Sequence, residues 1–237
     1  MCDDIGIDKQ RITRDNLLAT DGFGWADALL CRRKVTAVRS KARWINRNVR
    51  FTAVNALVPE KSAVEALKRA DLIVGCVNNL NARADLQEIA WRYCIPYVDI
   101  GLGLYPLDPN HDMSEIAAIS GNVFTAIPGG PCLWCTGFLT DEKLQMEAGG
   151  SDHSYLRSSL GERTKPGPGV HVASFNGVLA SLAASDVLQL ILDYSPGVSV
   201  RRQYDGFSGT VQEVVVEKNL SCPKCASILG AGDPLWQ

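Results

Sequence analysis

The first hundred residues alternate between segments of helical spacing and continuous apolar runs. Apolar positions recur at helical intervals in residues 31–45, 61–70 and 80–94. The first of these segments is also strongly basic. Strands are expected between these helices, at residues 49–58, 71–77 and 95–103. The strand at 71–77 is expected to be buried on both faces, because its apolar run is continuous, and 95–103 is expected to be another buried strand. This alternation predicts a parallel sheet with helices on its faces.

The pattern changes after residue 110. Residues 115–130 read as a hairpin that turns at Ser120-Gly121-Asn122, and the polar, Gly-, Ser- and Pro-rich residues 139–169 predict a mobile crossover loop. A long helix rich in small residues is expected over 170–194, apolar enough to be largely buried. Two further strands follow, in "VRRQYDG" and around residues 211–218. The predicted fold class is α/β: a Rossmann-like parallel sheet flanked by helices, with an antiparallel C-terminal part.

Composition narrows the function classes. With 237 residues, 46% of them apolar, the chain can form one core or a core with a lobe. A net charge of -2 gives no electrostatic reason to expect nucleic acid or an anionic membrane surface as a partner. No apolar run approaches the roughly 18–20 residues that a membrane span needs, and the acidic start "MCDDIGIDKQ" is unlike a signal peptide. The expectation is a soluble, cytoplasmic protein without nucleic-acid or membrane partners.

Two C-x-x-C pairs are the strongest chemical signal. Four thiolates in this spacing favour a structural zinc site, a knuckle that joins two distant segments of the chain. A redox pair or unliganded thiols are the alternatives, but a redox pair should open a helix after a first strand. The predicted ligands are Cys132, Cys135, Cys222 and Cys225. No ligand spacing is present at Cys2, Cys31, Cys76 or Cys94, of which Cys76 and Cys94 are expected to be buried.

Several segments, in this order, resemble the ThiF/MoeB/HesA family of ATP-dependent activating enzymes. "IDKQRITRDNLLAT" resembles the family's second strand and the loop after it, and "CRRKVTAVRSKARWINRNVRFTAVNAL" its next helix and strand. "ADLIVGCVNNLNARADLQEIAWRYCIPYVDIGLG" resembles the segment with the D-x-x-D-N-x-x-x-R signature. "GGPCLWC" and "SCPKC" fall where the family holds structural zinc.

The resemblance implies a set of nucleotide-binding residues. Asp8 matches the acid that takes the ATP ribose, Lys34 the lysine on the phosphates, and Arg83 the signature arginine. The other residues that the resemblance implies for nucleotide binding are Asn16 (of the Asn16-Leu17 pair), Asn78 and Asn79. The catalytic residues that it implies are Asn78, Lys34 and Arg14.

Two of these assignments have physical support. An acid at a strand end is a usual ribose ligand, although "DKQR" also fits a polar turn. Lys34, after Arg32 and Arg33, opens a helix against the macrodipole, which favours a nearby anion, although a solvated basic face remains open.

The sequence departs from the family pattern at three places. Gly75 and Asn78 stand where the signature has acids, of which the second helps to hold Mg²⁺. Ala19 stands where an arginine is expected, with Arg14 close by. No glycine-rich phosphate loop precedes Asp8. The first strand is therefore expected from outside this chain, or the protein is nucleotide-free.

Residues 1–110 are therefore interpreted as a partial nucleotide-binding half of a single domain. Residues 111–237 are interpreted as a carrier-binding half, with the zinc site and the crossover loop.

The leading functional hypothesis is ATP-dependent adenylation of the C-terminal carboxylate of a small ubiquitin-like or sulfur-carrier protein. The reaction is expected to stop at the acyl adenylate, because residues 136–170 contain no cysteine. The implied cofactors are structural zinc with ATP and Mg²⁺, and a homodimer is expected. The alternative is a non-catalytic, zinc-stabilised module that binds a partner without turning over ATP. A nicotinamide-dependent oxidoreductase, a third possibility, disagrees with the cysteine arrangement.

Overall fold

A computed structural model describes residues 3–14, 16–19, 22–106, 116–148, 172–192, 194 and 197–233. The chain divides into two compact units. The first comprises Met1–Ala70 with His171–Asn176, and the second Asp71–Val170 with Gly177–Gln237. This boundary differs from the predicted halves at residue 110, whose functional division stays a prediction.

The first unit is a strand–helix–strand arrangement. Strand β1 (Asp3–Ile7) pairs in parallel with β2 (Arg50–Val54), and the long connection between them carries α3 (Lys34–Ile45). The shorter helices are α1 (Asn16–Ala19), α2 (Trp25–Leu29) and α4 (Lys61–Leu67). A small core of Ile12, Ala28 and Ala37, with Leu17 and Phe23 packed against it, holds the loop after β1 to these helices.

The second unit contains a mixed five-stranded sheet in sequential order. Strand β3 (Ile73–Gly75) is parallel to β4 (Tyr97–Pro106), and α5 (Leu80–Arg92) connects them. Strands β5 (Ile116–Ala126), β6 (Arg201–Asp205) and β7 (Thr210–Glu213) then add in antiparallel order. The remaining helices are α6 (Asp141–Ala148), α7 (Ala173–Leu192), which begins in the first unit, and α8 (Pro223–Ser227). The predicted fold class is confirmed.

The hairpin predicted at Ser120-Gly121-Asn122 is wrong. These residues lie inside the continuous strand β5, where Gly121 pairs with Leu102 on one side and Tyr204 on the other. A Cβ at Gly121 would lie 2.6 Å from a methyl carbon of Leu179 on α7. The glycine therefore permits a close helix–strand approach, which a sequence pattern reads as a turn.

Burial differs from the prediction in two elements, β3 and α7. Val74 in β3 is 46% exposed, so this strand is not covered on both faces. Helix α7 buries Leu179, Ala183 and Asp186, but most of its other apolar side chains are only partly buried, and three near its C-terminal end, Leu188, Ile191 and Leu192, are exposed. By length and composition alone this helix could span a membrane, which was not expected, and 17% of its apolar window is buried. A single helix of this kind is weak evidence for a membrane span.

Two cysteines outside the C-x-x-C pairs are also more exposed than expected. Cys76 and Cys94 are both exposed rather than buried. Cys76 follows the last residue of β3, where the chain leaves the sheet, and Cys94 has a φ of 54° in the turn after α5. At both positions the apolar segment of the sequence extends beyond the end of the strand or helix, so the cysteine that follows is exposed.

Candidate functional site

In the first unit, Asp8 and Lys34 are brought together around Gln10. Asp8 follows directly on β1, and its carboxylate accepts a hydrogen bond of 2.6 Å from the backbone N–H of Gln10. Lys34 begins α3, and its Nζ donates to Oε1 of Gln10 at 2.7 Å while its backbone N–H donates to the Gln10 carbonyl at 3.0 Å. The loop after β1 therefore links the predicted ribose and phosphate residues, through a glutamine that no motif indicated.

The basic start of α3 has partners within the first unit. Arg32 forms an ion pair with Asp27 at 3.0 Å and donates to Ser40 Oγ at 2.6 Å. A hydrogen bond from the Gly24 N–H, followed by that from Arg32, lowers the pKa of Asp27. Arg33 donates to the side chain of Asn55. The cations that oppose the helix dipole are thus partly stabilised by local partners, so their presence does not by itself require a bound anion.

Arg14 and Asn16 have different surroundings. The guanidinium of the exposed Arg14 lies over the ring of Trp25, 5.8 Å from its centroid. Asn16 accepts a 3.0 Å hydrogen bond from the Thr13 N–H and so fixes the turn into α1. These contacts position the loop, and the proposed roles of both residues toward a nucleotide remain predictions.

In the second unit, Asn78 and Asn79 lie between β3 and α5, at the carboxyl end of a parallel strand. Asn79 is the N-cap of α5, and its Oδ1 accepts a 2.7 Å hydrogen bond from the Ala82 N–H. Asn78 is exposed, and among the described residues no hydrogen bond of its side chain is seen. Ligands commonly bind at this end of parallel strands, and Asn78 presents a free amide there.

A carboxylate from α6 completes the start of α5. Glu147 Oε1 accepts from the Leu80 N–H at 2.8 Å, and Oε2 accepts from the Asn81 N–H at 2.9 Å. Oε2 also accepts from the side-chain Nδ2 of Asn81 at 2.6 Å. Together with the Asn79 cap, this contact provides partners for the first three backbone N–H groups of α5. Sequence analysis missed Glu147, which is 67 residues from Leu80.

Arg83, predicted to bind the nucleotide, is buried. Its Nη1 pairs with the Asp99 carboxylate on β4, and its Nη2 donates to the carbonyls of Val77 at 2.8 Å and Ile100 at 3.1 Å. The Tyr97 hydroxyl donates to Asp99 at 2.6 Å. Burial raises the pKa of Asp99, and the Arg83 guanidinium and the Tyr97 hydroxyl oppose that rise. Arg83 thus anchors the segment that leads to Asn78.

The Gly75 departure has a packing reason. Gly75 pairs with Asp99 across the β3–β4 ladder, and a Cβ on it would lie 2.6 Å from the Tyr97 hydroxyl oxygen and 2.7 Å from Cε2 of the same ring. Burial, followed by the charge of Asp99, raises the pKa of Tyr97 well above its ordinary value. The space that a side chain at position 75 needs is therefore occupied by this protonated tyrosine.

The four predicted zinc ligands converge. Their Sγ atoms all lie within 4.8 Å of one another, although the two pairs come from distant parts of the chain. The separations are 3.6 Å for Cys132–Cys135, 3.7 Å for Cys132–Cys222 and 3.8 Å for Cys135–Cys225. A tetrahedral ion with Zn–S bonds of about 2.3 Å requires edges of about 3.8 Å. These three separations match a tetrahedral site, and the remaining pairs lie within 4.8 Å, so the cluster can hold a tetrahedral metal ion with at most a small adjustment.

The cysteine cluster is largely buried and is connected to α5. Cys132, Cys222 and Cys225 are buried, and the Leu133 N–H donates to the buried side chain of Gln87 on α5 at 3.2 Å. Burial raises the pKa of Cys225 to about 11. Metal ligation requires thiolates, so an ion that binds here must displace protons.

Comparison with known proteins agrees with this arrangement. The model of the ThiF family matches residues 5–224. The chain belongs to the ThiF family. Among the relatives of this ThiF-family chain is the molybdopterin-synthase adenylyltransferase of Escherichia coli (strain K12), 23% identical over 205 residues that cover 84% of this chain and 68% of the relative. The resemblance read from the motifs is thus confirmed.

Solved structures show the same fold. MccB of E. coli with ATP has a TM-score of 0.66 at 20% identity, and the match covers 93% of this chain and 58% of that one. The complex of MccB with N-formylated MccA gives a TM-score of 0.68 at 19% identity, over 93% of this chain and 59% of MccB. The present chain therefore spans less than two thirds of the length of MccB.

Proposed function

We propose that this chain catalyses, as part of a ThiF-family adenylyltransferase, the ATP-dependent activation of the C-terminal carboxylate of a small ubiquitin-like or sulfur-carrier protein. In this reaction a carboxylate oxygen forms a bond to the α-phosphorus of ATP. The bond from that phosphorus to the α–β bridging oxygen breaks, and pyrophosphate leaves with the electron pair. The acyl adenylate is the end product, since the sequence from 136 to 170 offers no cysteine for a thioester.

The observation that carries the proposal is the exposed pair Asn78-Asn79 between β3 and α5. It occupies the signature position of the family, at the end of a parallel strand, and α5 directs its positive N-terminal end toward it. In the first unit, Asp8 and Lys34 are proposed to contact the ribose and the phosphates. Mg²⁺, when bound, would neutralise phosphate charge, and position 78 offers it an amide oxygen rather than a carboxylate.

Zinc is proposed as the ion of the cysteine cluster, because four thiolates on a tetrahedral spacing suit it. Its role is structural, since all four coordination positions are filled by protein. A homodimer and a cytoplasmic location are proposed with the family assignment.

The test is ATP–pyrophosphate exchange with candidate carriers. Exchange that depends on a carrier with a free C-terminal carboxylate, and that stops when this carboxylate is amidated, supports adenylation. Lys34→Ala should reduce exchange by roughly 100-fold, in the range for loss of one electrostatic group at the reaction centre. Lys41→Ala is the matched control, because Lys41 lies on the same helix and its Nζ lies over the Trp44 ring.

The second candidate function is a non-catalytic module that binds a partner. The filled space at Gly75 and the neutral side chain at Asn78 favour it, because both positions lack the charge that the signature supplies. Carrier binding in a pull-down with purified proteins, without exchange in wild type or in Asn78→Asp, supports this alternative and overturns adenylation.

A further inference from the structure

The carboxylate of Glu147 is fixed close to the residue that departs from the family signature. Three N–H donors hold it, from the backbone of Leu80 and from the backbone and side chain of Asn81. Asn78 lies two residues before Leu80, so its Cα is within about 6 Å of the Leu80 nitrogen along the chain. An acidic group is therefore held at the start of α5, within about 9 Å of the Asn78 Cα, although the sequence places an amide at position 78.

The contacts leave one acceptor site on this carboxylate. An ionised carboxylate has about four lone-pair sites. The Leu80 N–H uses one on Oε1, and the two donors of Asn81 use those on Oε2. Glu147 is also only partly buried, so a ligand can approach Oε1. The three N–H donors fix the orientation of the group, which reduces the entropy lost when an additional ligand binds.

Taking the proposed function as given, we propose that Glu147 supplies from α6 the carboxylate that position 78 lacks. Oε1 of Glu147 and Oδ1 of Asn78 then form the hard-oxygen donor set that faces the divalent cation of the nucleotide. Mg²⁺ is commonly held by one or two carboxylates together with phosphates and water, so one carboxylate with one amide is a sufficient protein contribution. The residues present therefore fit the ion.

Two other roles of Glu147 predict different behaviour. If Glu147 is only a structural cap of α5, its removal lowers the stability of the protein. An acid at position 78 would then not restore any metal binding that is lost with Glu147. As an internal anion that excludes phosphates from the helix terminus, its removal would strengthen nucleotide binding. The three roles can thus be separated by the sign of the effect and by rescue.

The experiment measures binding of Mn²⁺ by electron paramagnetic resonance, with a non-hydrolysable ATP analogue present. The variants are Glu147→Gln, Asn78→Asp and the double variant, and Glu142→Gln is the matched control, because Glu142 is exposed on the same helix. Glu147→Gln should weaken binding by roughly 10- to 100-fold, the range for residues that support a bound metal. Asn78→Asp should strengthen binding, and the double variant should return close to wild type. Thermal melts establish that each variant is folded.

Each result decides the question. Loss in Glu147→Gln with rescue by Asn78→Asp supports the inference. Loss without rescue assigns a structural cap, tighter binding in Glu147→Gln assigns an internal anion, and a wild-type chain that binds no Mn²⁺–nucleotide has no such donor set; each of these overturns it. Pyrophosphate exchange is measured separately. Metal binding that depends on Glu147 in a chain without exchange retains this inference and removes adenylation.

Discussion

Arg83 and Asp99 form an ion pair between α5 and β4 that is almost fully withdrawn from water, with 6% and 4% of the two side chains exposed. Arg83 also donates to the carbonyl of Val77, one residue before Asn78. The arginine that the family signature contains is thus in a position to fix the loop from inside the protein. We expect it to support a nucleotide site through the backbone that it holds, and its direct contact with a nucleotide stays a prediction.

Replacement of Arg83 by Ala should reduce the free energy of unfolding by about 3–5 kcal/mol, because it leaves the Asp99 carboxylate buried without its counter-ion. Urea denaturation followed by circular dichroism measures the change. The matched control is Arg92→Ala on the same helix, because its ion pair with Glu88 at 2.7 Å is partly exposed, with 19% and 49% of the two side chains exposed, and its loss should cost only about 1 kcal/mol. An Arg83→Ala protein as stable as the control, but deficient in nucleotide binding, would instead make Arg83 a direct ligand.

Local spacing in the sequence identified most elements and the cysteine cluster. The helices α3, α4 and α5 follow a 3.6-residue period, and C-x-x-C pairs are specific because a metal imposes their spacing. The glycines could not be interpreted in this way. At Gly121 and Gly75 the need for glycine comes from Leu179 and Tyr97, which approach from other elements and leave no trace in the local pattern.

Hydrogen bonds between residues that are distant along the chain could not be predicted from the sequence either. Gln10 and Glu147 belong to no motif, and each acts through residues that are distant along the chain. Their roles depend on which helix terminus or strand end the fold places beside them. A single sequence predicts which residue types can bind a ligand, but the choice among them is made by tertiary contacts.

Acids introduced at the two signature positions should differ in their effect on stability. Gly75→Asp would place a Cβ within 2.6 Å of the Tyr97 oxygen and a second carboxylate beside buried Asp99, so it should destabilise by about 2 kcal/mol or more. Asn78→Asp should change the free energy of unfolding by less than about 0.5 kcal/mol, because Asn78 is exposed and the attraction to the start of α5 is opposed by the Glu147 carboxylate held there. Chemical denaturation of both variants checks the contrast, and Gly75→Ala isolates the steric part. A stable Gly75→Asp protein would show that Tyr97 can move aside.

Gly121→Ala tests the contact between β5 and α7. The added methyl group would lie 2.6 Å from a carbon of Leu179, which is 1% exposed, so we expect a loss of about 1–3 kcal/mol. Leu179→Ala alone should cost about 2–5 kcal/mol through the cavity that it creates. In the double variant the alanine at 121 has space, so the combined loss should fall below the sum of the single losses by about 1 kcal/mol or more. Additive losses would contradict a direct contact.

The cysteine cluster should bind one zinc ion per chain and lose it on acidification. Protons compete with the metal for the four thiolates, and burial raises the pKa of Cys225 to about 11 in the metal-free protein, so the metal-bound state is favoured as pH rises and is lost as pH falls. Metal analysis after dialysis over a pH series measures the occupancy. Structural zinc contributes on the order of 10 kcal/mol of apparent binding free energy in small metal-folded domains, so loss of one ligand should be severe.

Cys132→Ser is the corresponding variant, because Cys132 contacts a cysteine of each pair, at 3.6 Å and 3.7 Å. It should abolish stoichiometric zinc and lower the melting temperature, and treatment of the wild type with a strong chelator should reproduce the effect. Cys31→Ser is the control, since Cys31 is exposed and outside the cluster. Full zinc occupancy in Cys132→Ser, or four freely reactive thiols in the folded wild type, would contradict a metal-stabilised junction. The ion is expected to matter for stability more than for chemistry, because a site with four protein ligands leaves no position for a substrate.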